Sequence, residues 1–226
     1  MAATLTSDST GATAPPRRLT GVLVIILAVA ALVVVGTVGW LVGGSGGSTA
    51  AAGESSVDAG FARDMSTHHT QAVTMANYER DNTADSGLKV LAYDIETSQQ
   101  FQIGEMQGWL DAWGLGRESS QPQMSWMPGG HMQMSPVSLM PGMATPAEIS
   151  RLESLHGKAL DILFLQLMIR HHQGGLPMAQ YAISHARTAY VRSLAQSMYD
   201  SQTAEIVEME QLLRRLGATT LSAPTS

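Results

Sequence analysis

Residues 61–76 read FARDMSTHHTQAVTMA, and residues 164–179 read FLQLMIRHHQGGLPMA. Set against each other at an offset of 103 residues without a gap, they share Phe61 with Phe164, Met65 with Met168, His68-His69 with His171-His172, Met75 with Met178, and Ala76 with Ala179. The match runs on through Leu91-Ala92 and Leu194-Ala195, Gln99 and Gln202, Ile103 and Ile206, Glu105 and Glu208, Met106 and Met209, and Leu110 and Leu213. In all, 17 of the 57 positions from Asp58 to Gly114 recur between Asp161 and Gly217. Two copies make a tandem duplication, not a repeat array.

Within each copy the apolar positions step by three and four. Phe61, Met65, His68, Ala72, Met75 and Ala76 mark one helix face, and Leu91, Ile95, Gln99, Ile103, Met106 and Leu110 mark a second. The polar run Arg80 to Gly87 (RDNTADSG) predicts the turn between them, and Ser184 to Thr188 takes that part in the second copy. Gly114 and Gly217 suit helix C-termini. Two hairpins, each apolar on one side, bury those sides against each other. The expected fold is therefore all-α: a four-helix bundle of two duplicated hairpins, repeat one at 57–115 and repeat two at 146–218. Between them, Thr145-Pro146-Ala147-Glu148 is a capping box with proline at the first helical position, and the short helix it starts is expected to lead past Gly157 into the third long helix. Pro177, with Gly174 and Gly175, predicts a kink just after the second histidine pair. Asp58 and Asp161 read as first-turn acids that favour the helix dipole.

The 226-residue chain has no cysteine, which excludes disulfide frameworks and thiol chemistry. With 13 basic against 19 acidic residues and no basic cluster, nucleic acid is not an expected partner. Gly21 to Val42 is free of charge and spans roughly 33 Å as a helix, the reach of a hydrocarbon core. It is longer than the apolar core of a cleaved signal peptide, so residues 19–42 are expected to be an uncleaved transmembrane anchor in the lipid bilayer. Arg17 and Arg18 place the tail 1–18 in the cytoplasm and everything after the span outside the cell. Residues 43–56 are a Gly/Ser/Ala tether and 219–226 a disordered tail.

The chain carries 14 methionines and 7 histidines, and methionine is the soft ligand left to a protein without thiols. On a helix, Met65 lies three and four residues from His68 and His69, and Met75 returns to the face of His68 a further two turns on. Met168, His171, His172 and Met178 repeat the pattern. Adjacent histidines diverge by about 100°, so one of each pair is expected to face inward and the other to lie nearer the bundle edge. Met106, Met198 and Met209, with no histidine in their own helix, are assigned to core. Gln99 and Gln202 are candidates to orient a histidine ring. The linker 116–145 holds a second group of candidate donors in Met124, Met127, His131, Met132, Met134, Met140 and Met143. Thioether and imidazole donors suit Cu(I) better than Zn, Mg or Ca. The same linker could equally fold down as an apolar strap. A di-iron oxidase is disfavoured, since only Glu153-x-x-His156 has the needed spacing, and no hydrolase motif occurs.

At the two Met-x-x-His-His segments, and at the MPGM of the linker, the sequence resembles the domain of unknown function 305 family from about Val57 to Leu216. The resemblance implies a ferritin-like four-helix bundle, commonly exported, with some members binding copper, and it carries the family's His/Met positions onto Met65, His68, His69, Met75, Met168, His171, His172 and Met178. Gly175 and Pro177 depart from the family pattern. The combined expectation is a membrane-anchored exterior protein that binds or buffers copper, chiefly Cu(I), with no covalent catalysis implied. A redox metalloprotein using the same site and a metal-free interaction module of the cell envelope are the alternatives, and a homodimer or an envelope protein partner stays open.

Overall fold

A computed structural model describes residues 52–129 and 139–221. These form five helices: α1 Val57–Asn82, α2 Ser86–Ala112, α3 Pro146–Glu153, α4 Gly157–His185 and α5 Ala189–Arg215. There is no strand among the described residues. The anchor expected at 19–42 lies outside them; no helix within them is long and apolar enough to cross a membrane.

The helix ends follow from local chemistry. Ser56 caps α1 by accepting from the Ala59 amide at 3.1 Å, and Asp85 caps α2 by accepting from Gly87 and Leu88. The expected box at Thr145 is present in both directions, with Glu148 N–H donating to the Thr145 hydroxyl and Thr145 N–H to the Glu148 carboxylate. Gly114 and Gly217 close α2 and α5 at φ of +71° and +74°, a conformation that costs glycine nothing.

α1 packs along α2, α4 along α5, and α1 against α4 joins the two hairpins into a helical bundle. Asp58 and Asp161 tie the ends of that join. Asp58 accepts from the backbone amides of Arg187 and Thr188 and from the Thr188 hydroxyl at 2.6–2.9 Å, while Asp161 accepts from the Thr83 hydroxyl at 2.9 Å. α1 and α4 therefore run antiparallel, with the start of each against the end of the other. The two aspartates do more than answer a helix dipole, because each is spent on the other hairpin.

The core comes in two apolar clusters. One gathers Met75, Leu88, Leu91 and Ile95 with Leu160, Phe164, Met168, Met209 and Leu213. The other gathers Phe61, Met65, Met106 and Leu110 with Met178, Val191 and Met198, and takes in Met124, Trp126 and Met140 from the linker. The core assignment of Met106, Met198 and Met209 holds, all three being fully buried. Both histidine pairs fall between the clusters in sequence, as do Gln99, Gln102, Gln202 and Glu205. The bundle therefore has two apolar clusters with a polar layer between them.

Two local expectations are corrected. The first turn is only Thr83–Asp85, because Asp85 can cap α2 and α1 keeps its periodicity to Asn82. The short helix does not lead into the next one: α3 stops at Glu153, and Gly157 opens α4 at φ +56°, which forces a corner. Pro177 lies inside α4 without ending it. The neighbouring glycines serve close approach. A Cβ on Gly174 would overlap the Pro141 carbonyl, and one on Gly175 would lie 2.8 Å from Gln202 Oε1 and 3.4 Å from His68 Cε1.

Candidate metal centre

The four histidines of the two pairs come together at the middle of the α1–α4 contact, and all four are fully buried. The rings of His68 and His171 face each other with centroids 3.8 Å apart. The sequence placed one member of each pair near the bundle edge. The structure instead turns His69 and His172 toward α2 and α5, whose side chains cover them as completely as the central pair is covered. Met65 and Met178 lie in the cluster on one side of this layer, Met75 and Met168 in the cluster on the other. Thioethers therefore flank the imidazoles above and below.

Each ring is held by one nitrogen. His68 Nε2 lies 3.0 Å from the Pro141 carbonyl oxygen and His171 Nε2 lies 2.9 Å from the His68 carbonyl oxygen. His69 Nε2 is 2.8 Å from Gln102 Oε1, and His172 Nε2 is 2.6 Å from Glu205 Oε2. Every one of these partners is an oxygen acceptor, so each Nε2 carries the proton and donates it. On a neutral ring Nδ1 is then a bare lone pair, and no protein group donates to any of the four. Burial pushes His68 down to about 4 and His69 to about 3, and holds His171 well below the usual imidazole range, so these rings are neutral at physiological pH.

The expected orienting residues were Gln99 and Gln202. They are buried in the same layer, but their Oε1 atoms take no hydrogen bond. Gln102 and Glu205, one helical turn later, do the orienting. They escaped the sequence reading because the duplication does not repeat them. The signal was their register, since Gln102 and Glu205 occupy the same position in the two copies and lie on the edge of the face that Gln99 and Gln202 mark.

The donor set fits a soft ion. Among the described residues no three His, Asp or Glu side chains converge to hold an ion by themselves. A metal would have to bind through Nδ1 lone pairs and be completed by thioethers. Cu(I) and Ag(I) accept low coordination numbers and sulfur ligands, whereas Zn, Mg and Ca do not suit this set. A ring nitrogen that donates to a carbonyl or carboxylate while the other is left bare is also the usual arrangement of a ligating histidine.

The linker candidates divide. His131, Met132 and Met134 lie outside the described residues. Met124 and Met140 are buried, and Met127 and Met143 are partly buried against the bundle. The linker is stitched down on both sides of its middle. Asp64 accepts from the Met124 amide at 2.6 Å and from Trp126 Nε1 at 2.7 Å. Gln71 exchanges two hydrogen bonds with the Ala144 backbone, and Arg170 donates to Glu148 and to the Met143 carbonyl. These four methionines therefore strap the bundle instead of waving in solvent, and Pro141 in the strap supplies the acceptor for His68.

A duplicated helical hairpin that buries four one-sided imidazoles between thioethers defines a class of small His/Met bundle. The family model described as domain of unknown function (DUF305) matches residues 58–213, and the chain belongs to that family. A family member from Streptomyces coelicolor is 45% identical, with a TM-score of 0.70 over 75% of this chain and 99% of its own. A fragment from Deinococcus radiodurans is 31% identical, with a TM-score of 0.58 over 70% of this chain and 96% of its own. CopM in its Cu(II)-bound form is 25% identical, with a TM-score of 0.53 over 70% of this chain and 96% of its own, and its Cu(I)-bound form shares the fold at 24% identity and a TM-score of 0.55 over the same shares. No curated protein matches the chain.

Proposed function

We propose that this protein binds copper, chiefly as Cu(I), in the layer formed by Met65, His68, His69, Met75, Met168, His171, His172 and Met178. The observation that carries this reading is the set of four buried Nδ1 atoms to which nothing donates, each on a ring fixed through Nε2. An imidazole kept neutral, aimed and unsatisfied in a dry core costs stability that a bound soft cation recovers. CopM, which shares the fold, is known in Cu(I)-, Cu(II)- and silver-bound forms, and this supports metal binding in a bundle of this kind. The role is binding or buffering. The ferritin-like bundle works outside the cell, on a chain anchored in the membrane by residues 19–42.

The test is an anaerobic Cu(I) titration of the full chain against a competing chelator, with bound metal counted by elemental analysis. The unmutated protein takes up Cu(I) tightly and saturably, and Zn(II) weakly. His68→Ala with His171→Ala removes the bundle uptake while any uptake by the linker persists; unchanged stoichiometry would refute the site. Protease digestion of intact cells checks the location: cleavage from outside supports the exterior placement, and full protection refutes it.

A further inference from the structure

The outer histidines of the two halves differ in the chemistry of the group that accepts from them. In copy one His69 donates to the neutral amide oxygen of Gln102, and at the same register in copy two His172 donates to the carboxylate of Glu205. The surroundings diverge in the same sense. Asp94 from α2 and Glu208 from α5 stand close enough to Glu205 for its charge, after burial, to push both of their carboxyl groups up. Arg215 offsets part of this at Glu208. The duplication register puts Ser197 and Glu105 at the positions equivalent to Asp94 and Glu208, so three carboxyl groups gather at the Glu205 register where the Gln102 register carries one.

We propose that the pair Gln102 and Glu205 makes the two half-sites unequal in the ion charge they accept: the His172 half tolerates a divalent copper ion, and the His69 half is confined to monovalent soft ions. This rests on the metal-binding reading above. Two physical effects point the same way. A carboxylate that accepts from Nε2–H pushes electron density through the ring and makes Nδ1 a stronger donor, which an amide oxygen does only weakly. A divalent ion also gains twice what a monovalent ion gains from a given negative potential, and that potential is concentrated at the Glu205 end. Silver(I) reads the thioethers and the bare lone pairs, and is nearly blind to the difference. Glu205 is thus a positioning and specificity-setting residue; its carboxylate touches the ligand and not the ion.

The experiment titrates the full chain separately with Ag(I) and with Cu(II), using the unmutated protein, Glu205→Gln and Gln102→Glu. Loss of the carboxylate is expected to lower Cu(II) affinity by about tenfold or more, the range seen for residues that support a ligand, while Ag(I) affinity stays within about twofold. Gln102→Glu is expected to raise Cu(II) affinity with Ag(I) again unmoved, and it decides the matter if Glu205→Gln fails to fold. Equal loss of both ions in Glu205→Gln, or no change in Cu(II) binding in either variant, overturns the proposal while leaving the metal site standing. Uptake of neither ion by the unmutated protein overturns the metal reading, and this inference with it.

Discussion

Glu79 shows what a single misplaced charge does in this core. Its residue is fully buried, and Asp161 stands beside it at the hairpin join. Burial first, and then the Asp161 charge, push its carboxyl from 4.5 up to about 8. The folded protein thus holds a proton that the unfolded chain releases near 4.5. The stability from this group is whole below pH 4.5 and is lost as pH rises through about 8. Glu79→Gln, which keeps a donor and cannot ionise, is expected to match the parent in melting temperature at pH 4.5 and to exceed it by several degrees at pH 9, roughly 4–8 °C per kcal/mol for a small domain and less for a larger one. Thermal unfolding followed by circular dichroism at the two pH values decides it; an equal difference at both would remove ionisation from the account. At the equivalent position of copy two the residue is Ala182, so that end of the join has no such acid. Asp58 there is fully satisfied, and Asp58→Ala is expected to cost about 1–3 kcal/mol by leaving the Thr188 and Arg187 amides without their cap. Denaturant unfolding measures that loss, and a cost near zero would mean that the amides find other acceptors.

At the scale of elements, the linker and α4 are fitted to each other through glycine. Gly142, at φ +79°, packs against the backbone of Arg170 and His171, and Gly174 leaves room for the Pro141 carbonyl. Gly174→Ala is expected to lift the strap and to cost about 1–3 kcal/mol, the price of a methyl forced against backbone. The same lift takes the Pro141 oxygen from His68 Nε2, so the variant should also show a changed His68 ring signal in two-dimensional NMR. An unchanged ring signal alongside a lowered melting temperature would separate the strap from the histidine. None of this was open to a reading of periodicity. Gly174, Gly175 and Pro177 together look like a helix breaker, and only the path of the linker reveals that two of them are clearances. The long helices, both C-terminal glycines and the capping box at Thr145 were legible, since their signals lie within a few residues of sequence. The break at Gly157 was not, because a helix can begin again after three residues without any change of composition.

For the whole molecule, the duplication carried most of the information. It identified two hairpins, their antiparallel order and the eight His/Met positions, because whatever a fold needs twice is visible twice. It could not reveal what the copies do differently, and the orienting side chains are such a case: Gln102 and Glu205 differ, so a search for identities passes over them and lights on Gln99 and Gln202. Complete burial of His69 and His172 was also hidden, since it depends on how closely α2 and α5 lie over α1 and α4. The tight α1–α4 contact, which brings the His68 ring against that of His171, has a consequence for descent. Two residues that face each other across a twofold axis of a homodimer are one residue under one codon, and a change to either is a change to both. Joining the hairpins on a single chain gave each its own codon. The ring at the axis is the same in both, while the side chain that holds the neighbouring ring has been free to differ, an amide in one copy and an acid in the other.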